Sequence, residues 1–156
     1  MSILESIEQI VDLFESSGCN YVVIGGIAVL LHGGRASTID FDLYVMADDF
    51  SLLENHLVAR GAIVSMKSDH QLRFSFGGVQ IDVLEADAVL AQTIFKRSSR
   101  LKIVRSECSV ASPEDLIILK TLADRPIDRR DVAELREIFE SELDESYIAT
   151  TLKNFD

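Results

Sequence analysis

The chain has 156 residues, of which 47% are hydrophobic and 26% are charged, a composition typical of a globular protein with a buried core. Its formal net charge of −11 argues against general electrostatic adhesion to nucleic acid but still allows a local basic groove. No apolar run approaches the roughly 20 residues of a membrane-spanning helix, and the first residues lack the basic start of a signal peptide. We therefore expect one domain in the cytoplasm that makes no use of a membrane.

The cysteines and histidines do not predict a metal site. Cys19 and Cys108 are far apart, and reduced structural thiols are favoured over a disulfide. His32, His56 and His70 are scattered, so they do not form a zinc ligand set. For His32, which follows an apolar helix, a structural hydrogen bond is favoured over a catalytic role.

The first segment is an amphipathic helix with clear ends. Ser2 and Glu5 have the spacing of an N-terminal capping box, and Gly18 fits the C-cap. Five apolar residues recur at helical spacing: Ile3, Ile7, Ile10, Val11 and Phe14.

Residues 21–45 carry the main functional pattern. The apolar residues 21–24 predict a buried strand, and Gly25-Gly26 allows a sharp turn and a close approach of the backbone to a ligand. Residues 27–31 then predict a short apolar helix that would start near a phosphate. Residues 39–45 alternate between apolar and polar, which predicts a second strand.

Two carboxylates share the polar face of this second strand. Asp40 and Asp42 lie two residues apart, which places their Cα atoms roughly 7 Å from each other on a strand. Like charges so close are stabilised by a divalent cation, and Mg²⁺ is usually held by one or two carboxylates together with substrate phosphates. Taken alone, the Asp-x-Asp pattern is explained by an exposed strand face, and the Gly-Gly pair is explained by a simple turn. Their conjunction favours a metal–triphosphate site.

The same stretch resembles the signature of the nucleotidyltransferase superfamily of the DNA-polymerase-β type. That signature is a hydrophobic-Gly-Gly turn, a spacer, and a hydrophobic-flanked Asp-x-Asp; here Ile24-Gly25-Gly26 is followed after thirteen residues by Asp40-Phe41-Asp42-Leu43. His32-Gly33 and Arg35-x-x-Thr38 are similar to a small bacterial and archaeal branch that is related to abortive-infection and toxin–antitoxin nucleotidyltransferases. The resemblance implies that Arg35 and Thr38 belong to the nucleotide site. The second turn position is often Ser in the superfamily, whereas Gly26 lacks a hydroxyl.

The middle of the chain predicts a helix and a hairpin. Asp48-Asp49 opens a helix that runs to about residue 60, with Leu52, Leu53, Leu57 and Val58 on its buried side. Residues 72–76 and 79–84 alternate around Gly77-Gly78, as in a β-hairpin.

Asp82 and Arg73 are the polar residues of interest on this hairpin. The resemblance implies that Asp82 is the family's third carboxylate, which would complete the metal site and act as general base. Two metal ions held by three carboxylates suit an in-line phosphoryl displacement. Arg73, near Asp82 in the pairing, could contact a phosphate or neutralise an acid.

Residues 86–95 predict a helix, and residues 96–105 then carry five positive charges and no negative one. This run could bind a polyanion such as RNA. The favoured interpretation is a solvated loop and edge strand, because no aromatic residue in it could stack on bases.

The C-terminal part starts with a helix that is capped by Ser112 and is apolar except for Lys120. A lysine in such a helix needs an acid, a phosphate or solvent. The resemblance implies that Lys120 contacts the nucleotide phosphates and that Asp128 and Asp131 help to fix the site. Local interpretations are an N-cap for Asp128 and a first-turn position for Asp131, in a helix that ends near residue 139.

We expect an α/β fold: a small mixed, mostly antiparallel sheet flanked by helices, with a core over residues 1–111 and C-terminal helices over 112–156 closing the cleft. The expected reaction moves a nucleoside monophosphate from a nucleoside triphosphate to an unidentified RNA, protein or small-molecule acceptor, with Mg²⁺ or alternatively Mn²⁺ as cofactor. The alternative function is a catalytically weak module that binds nucleotide or a protein partner, as in a toxin–antitoxin pair. The site residues expected are Gly25, Gly26, Arg35, Thr38, Asp40, Asp42, Asp82 and Lys120.

Overall fold

A computed structural model describes residues 2–35, 40–86 and 88–155 of the chain. The α-helices of this part are α1 (Ile3–Ser17), α2 (Gly25–Leu31), α3 (Phe50–Ala59), α4 (Val89–Arg97), α5 (Pro113–Ala123), α6 (Pro126–Phe139) and α7 (Glu145–Lys153). The strands are β1 (Tyr21–Ile24), β2 (Phe41–Val45), β3 (Ile63–Lys67), β4 (Gln71–Phe76), β5 (Val79–Glu85), β6 (Ser99–Ile103) and β7 (Ser106–Val110).

The strands form one mixed sheet in the order β3-β4-β5-β2-β1-β7-β6. The pairs β3–β4, β4–β5, β1–β2 and β6–β7 are antiparallel. The pairs β2–β5 and β1–β7 are parallel. The predicted mixed, mostly antiparallel sheet with flanking helices is therefore confirmed.

The core lies where α1 packs on the sheet. Phe14 of α1 stacks on Phe41 of β2, with ring centroids 6.3 Å apart, and tilts against Tyr21 of β1 at 5.7 Å. The expected capping box at Ser2 and Glu5 is present, and Gly18 caps the helix in the left-handed conformation. Both cysteines are buried free thiols, as expected.

The C-terminal helices pack on one another, and two of them also pack on α2. Helix α5 packs on α6 and α7, and α2 packs on both α5 and α6. Ser112 accepts a hydrogen bond from the backbone N–H of Asp115 (3.1 Å), which confirms the predicted cap of α5. This packing brings α5 and the start of α6 next to the end of β1.

Two local predictions were wrong. Leu52 and Val58 of α3 are 55% and 48% exposed, because a ten-residue helix buries only the narrow stripe of Leu53 and Leu57. The predicted start of this helix is confirmed, because Asp49 is its N-cap residue. The fourth helix begins at Val89 and continues to Arg97, later than expected at both ends.

None of the helices in the described ranges has the length and apolar character needed to cross a bilayer.

Candidate active site

A row of register-paired residues crosses four neighbouring strands and defines the site. Ile24 of β1 pairs with Asp42 of β2, Asp42 pairs with Asp82 of β5, and Asp82 pairs with Arg73 of β4. Paired residues of neighbouring strands point to the same face of a sheet. Parallel pairing of β2 and β5 is therefore what brings the two predicted carboxylates, forty residues apart in sequence, to one face.

Asp42 is a half-buried carboxylate that is subject to the charges of other carboxylates. Its pKa is raised to about 6, first by burial and then by the charges of Asp82 and Asp40, while Lys120 and Arg125 oppose the shift. The charges of the other two predicted carboxylates thus both act on Asp42, as expected if it shares a site with them.

Gly25 allows α2 to begin directly against Asp42. Its φ is +71°, and a Cβ added there would lie 2.6 Å from Oδ2 of Asp42. Gly25 and Gly26 are the first residues of α2 rather than a separate turn before it. Any larger residue at position 25 would displace the carboxylate.

We expect Gly25→Ala to destabilise the protein more than Gly61→Ala does, and to reduce activity as well. Gly61 also has a positive φ (+98°), but nothing lies within 4 Å of its added Cβ, so that variant reports backbone strain alone, about 1–3 kcal/mol. Urea unfolding of both variants measures the difference, which is the cost of the contact with Asp42. Equal destabilisation by the two substitutions would contradict the close approach.

Asp82 is held by three side-chain donors. Arg73 Nε donates to Oδ1 at 2.7 Å, Gln80 Nε2 donates to Oδ2 at 2.9 Å, and Gln71 Nε2 donates to Oδ1 at 3.4 Å. Of the two interpretations of Arg73, pairing with an acid is the one the structure shows. Asp82 is only 9% exposed, so this ion pair accounts for a carboxylate that would otherwise be buried without compensation.

Lys120 of α5 is buried between two carboxylates of α6. Its Nζ lies 2.8 Å from Asp131 Oδ2 and 3.5 Å from Asp128 Oδ1. Arg125 donates to both oxygens of Asp128, at 2.6 and 3.1 Å, and lowers the pKa of that carboxyl. The four residues form a network with mixed charges at the junction of α5 and α6.

Asp128 stabilises the start of α6 as well, although not at the predicted position. The N-cap is Arg125, and Asp128 is the third helical residue, whose carboxylate accepts from the backbone N–H of Arg125 at 3.1 Å. The helix ends at Phe139, as predicted. Arg125 was not among the predicted site residues, and its spacing to Asp128 was the signal that could have identified it.

Two cavities meet at Asp42 and Lys120. The smaller, of about 130 Å³, is lined by Gly25, Gly26, Asp40, Asp42, Lys120, Arg125, Ile127 and Asp131. The larger, of about 330 Å³, shares Gly25, Asp42, Lys120 and Arg125 with it and is also lined by Asp82. Six of the eight predicted site residues therefore line one cavity or the other.

The remaining two predicted site residues are not part of these cavities. Arg35 lines a separate cavity of about 940 Å³ with Arg130 and Glu134, and its backbone N–H donates to Glu134 Oε1 at 2.9 Å. Thr38 lies outside the described residues.

The three predicted carboxylates have the oxygen ligands that suit a hard divalent cation, but the structure does not hold them close enough together to bind one. Asp40, Asp42 and Asp82 offer the oxygen donors that Mg²⁺ prefers. The pKa of Asp42 is raised by burial and by neighbouring negative charges, and a bound cation would compensate this repulsion. Across the described ranges, no three His, Cys, Asp or Glu side chains cluster closely enough to hold a metal ion as they stand. The oxygens of Asp82 accept from Arg73, Gln71 and Gln80 instead.

His32 and the basic run have structural partners. The His32 ring nitrogen Nε2 lies 2.8 Å from the carbonyl oxygen of Ala111, which confirms the predicted structural hydrogen bond, and burial lowers the pKa of His32. Arg97 pairs with Asp115 (3.3 Å), and Arg100 pairs with Glu15. Two of the five cations of residues 96–105 are thus neutralised by acids of the same chain.

Comparison with known protein families gives a match over nearly the whole chain. The model of a family described as "Nucleotidyl transferase of unknown function (DUF2204)" matches residues 3–156. No curated protein sequence matches the chain.

Several solved structures share the fold at low sequence identity. A lincosamide antibiotic adenylyltransferase, LnuA, bound to lincomycin, is 17% identical with a TM-score of 0.69, over 86% of this chain and 96% of that one. The enzyme ANT(2")-Ia in complex with adenylyl-2"-tobramycin is 17% identical with a TM-score of 0.74, over 98% of both chains. A putative nucleotidyltransferase (TM1012) from Thermotoga maritima is 16% identical with a TM-score of 0.59, over 90% and 93%.

Proposed function

The chain belongs to this nucleotidyl transferase family, and from that premise we propose that it transfers a nucleoside monophosphate from a nucleoside triphosphate to an acceptor hydroxyl. The observation that carries the proposal is the meeting of two cavities at Asp42 and Lys120. Such a junction allows a triphosphate and an acceptor to approach one phosphorus atom from different sides. In-line displacement requires that arrangement.

The smaller cavity is assigned to the triphosphate. Gly25 and Gly26 leave backbone free of side chains there, and Lys120 and Arg125 bring two positive charges. Asp40 and Asp42 bring two negative charges, which would repel the phosphates in the absence of a cation. The assignment therefore includes a divalent metal, Mg²⁺ or alternatively Mn²⁺, held by Asp40 and Asp42 and completed by Asp82.

The bound metal would supply charge stabilisation for the triphosphate and activate the attacking hydroxyl. The hydroxyl oxygen of the acceptor forms a bond to the α-phosphorus, and the bond from the α-phosphorus to the bridging oxygen breaks. Pyrophosphate leaves with the electron pair, and Asp82 takes the proton of the hydroxyl. Lys120 stabilises the charge that develops on the phosphate oxygens.

One observation favours the alternative of a catalytically weak or partner-dependent module. Arg73 donates a 2.7 Å hydrogen bond to Asp82, so the guanidinium group competes with a metal or a hydroxyl for this carboxylate. A nucleotide, an acceptor or a protein partner such as one component of a toxin–antitoxin pair could displace this guanidinium group. The two proposals differ in whether the purified chain transfers nucleotide by itself.

The test is isothermal titration of each nucleoside triphosphate into the protein, with Mg²⁺ and with a chelator. We expect binding that needs Mg²⁺ and is lost in the double variant Asp40→Asn/Asp42→Asn. The matched control is Asp48→Asn/Asp69→Asn, which removes the same charge from two exposed positions outside both cavities.

The outcomes separate the proposals. Metal-dependent binding with transfer of labelled nucleotide supports the enzyme, whereas binding without transfer supports the weak module. Absence of binding by the folded wild-type protein, or equal loss in the control variant, would rule out the proposed site.

A further inference from the structure

We propose that the larger cavity binds the acceptor, and that the acceptor is a small molecule with a hydroxyl group next to an apolar portion; this inference rests on the proposed function. Five apolar residues line the cavity, from β1, β5 and α5: Ile24, Leu84, Leu116, Leu119 and Ala123. A lining of this kind is unsuited to a triphosphate. It suits an apolar group, whose burial contributes to binding in proportion to its area.

The reacting end of the cavity is defined by Asp82. This carboxylate lines the larger cavity and not the smaller one, whereas Asp42 and Lys120 line both. A hydroxyl that delivers its proton to Asp82 therefore enters from the larger cavity. Gln71, which also lines it, offers an amide next to Asp82 for a second polar group of the acceptor.

Size and charge favour a small molecule over a nucleic acid. A volume of about 330 Å³ lies at the lower end of small-ligand pockets, which span roughly 300–1,000 Å³. The two cations that line the cavity, Lys120 and Arg125, are both paired with Asp128. An RNA end would need a basic surface leading to the site, because phosphate contacts dominate nucleic-acid affinity.

The basic run does not provide that surface. Its strand β6 lies at one edge of the sheet, separated from β5 and Asp82 by β7, β1 and β2. Within the described part of the chain, Arg97 and Arg100 of this run are paired with Asp115 and Glu15. The two cations of β6, Arg100 and Lys102, therefore lie away from the cavity, and Arg97 and Arg100 are neutralised by acids of the same chain.

The experiment compares two probes that share hydroxyl groups and differ in apolar length, methyl β-D-glucoside and n-hexyl β-D-glucoside. Each is titrated into the protein saturated with Mg²⁺ and α,β-methylene-ATP. We expect the hexyl compound to bind at least about tenfold more tightly, because each buried methylene contributes to binding. Leu119→Gln should weaken binding of the hexyl compound at least about fivefold and leave nucleotide affinity unchanged.

The matched control is Leu122→Gln, on the same helix but 42% exposed and outside both cavities, which should change neither affinity. A second assay offers α-labelled ATP with n-hexyl β-D-glucoside or with bulk tRNA, and label is expected on the glucoside alone. Equal affinities of the two glucosides, equal losses in the two leucine variants, or label on tRNA would overturn the inference.

A further outcome concerns the nucleobase. If α,β-methylene-ATP alone gives intermolecular NOEs between its adenine protons and the Leu119 methyl groups, the base occupies the cavity and the acceptor assignment is wrong. If the nucleotide does not bind at all, the proposed function itself fails, and this inference falls with it. The two failures are thus distinguishable.

Discussion

Replacing Asp42 by asparagine is expected to stabilise the metal-free protein at pH 7 by about 1–3 kcal/mol and to reduce nucleotide transfer at least about 100-fold. The two effects have opposite signs because the same carboxylate is costly to bury in the folded protein and, in the proposed mechanism, holds the metal. Burial, Asp82 and Asp40 together raise the pKa of Asp42 to about 6, against the opposing charges of Lys120 and Arg125. Such a conflict between stability and activity is common at functional sites.

The pH dependence follows from the direction of the shift. A carboxyl whose pKa is raised in the folded state binds its proton more tightly there than in the unfolded chain. Its contribution to stability is fully present below its ordinary pKa of 3.8 and is lost as the pH rises to about 6. The stability difference between Asp42→Asn and wild type should therefore be near zero at about pH 4 and largest above pH 6.

Urea unfolding at several pH values, in the presence of a chelator, measures this difference. Added Mg²⁺ should stabilise the wild type and not the variant, because only the wild type gains from binding the metal. Asp48→Asn, at an exposed position outside the cavities, should change the free energy of unfolding by no more than about 0.5 kcal/mol. A variant less stable than wild type above pH 6 would show that the carboxylate is already compensated in the folded protein.

The sequence contained enough information to predict several local features around the candidate site. The alternation of apolar and polar residues around Asp42 predicted which face of the sheet its side chain lies on, because side chains alternate on any strand. The Gly-Gly pair was predicted to let the backbone approach a ligand, which stays a prediction; the close approach that the structure shows is between Gly25 and the carboxylate of Asp42. The hairpin around Gly77-Gly78 predicted that Arg73 lies opposite Asp82, and that pairing is observed.

The remaining features depend on packing that no local pattern encodes. Parallel pairing of β2 with β5 joins segments far apart in sequence, and only the resemblance indicated that Asp82 belongs beside Asp42. Arg35 lines a cavity separate from the other two, and the spacing of a motif does not specify which cavity a residue lines. The exposed Leu52 and Val58 of α3 show the same limit, because an apolar residue does not reveal whether a neighbour covers it.

Replacing Lys120 by methionine is expected to destabilise the protein by about 3–5 kcal/mol, the usual cost of leaving a buried charge without its partner. Lys120 is 7% exposed, and Asp131, at 1% exposure, would lose the ammonium group that lies 2.8 Å from its Oδ2. Its other oxygen, Oδ1, has no hydrogen-bond partner among the described residues. Asp128 would be affected less, since Arg125 donates to both of its oxygens.

The matched control is Lys67→Met, because Lys67 Nζ lies at the same distance, 2.8 Å, from Glu54 Oε1, but its side chain is 63% exposed. Loss of this ion pair should cost less than about 1 kcal/mol, as for other surface ion pairs.

The double variant Lys120→Met/Asp131→Leu should recover much of the stability lost in Lys120→Met, since it removes the uncompensated charge together with its partner. It should not recover triphosphate binding, because the positive charge at the junction of the two cavities would still be missing. Recovery of both stability and nucleotide affinity would show that Lys120 serves the fold alone, whereas recovery of stability alone would assign it to the phosphates as well.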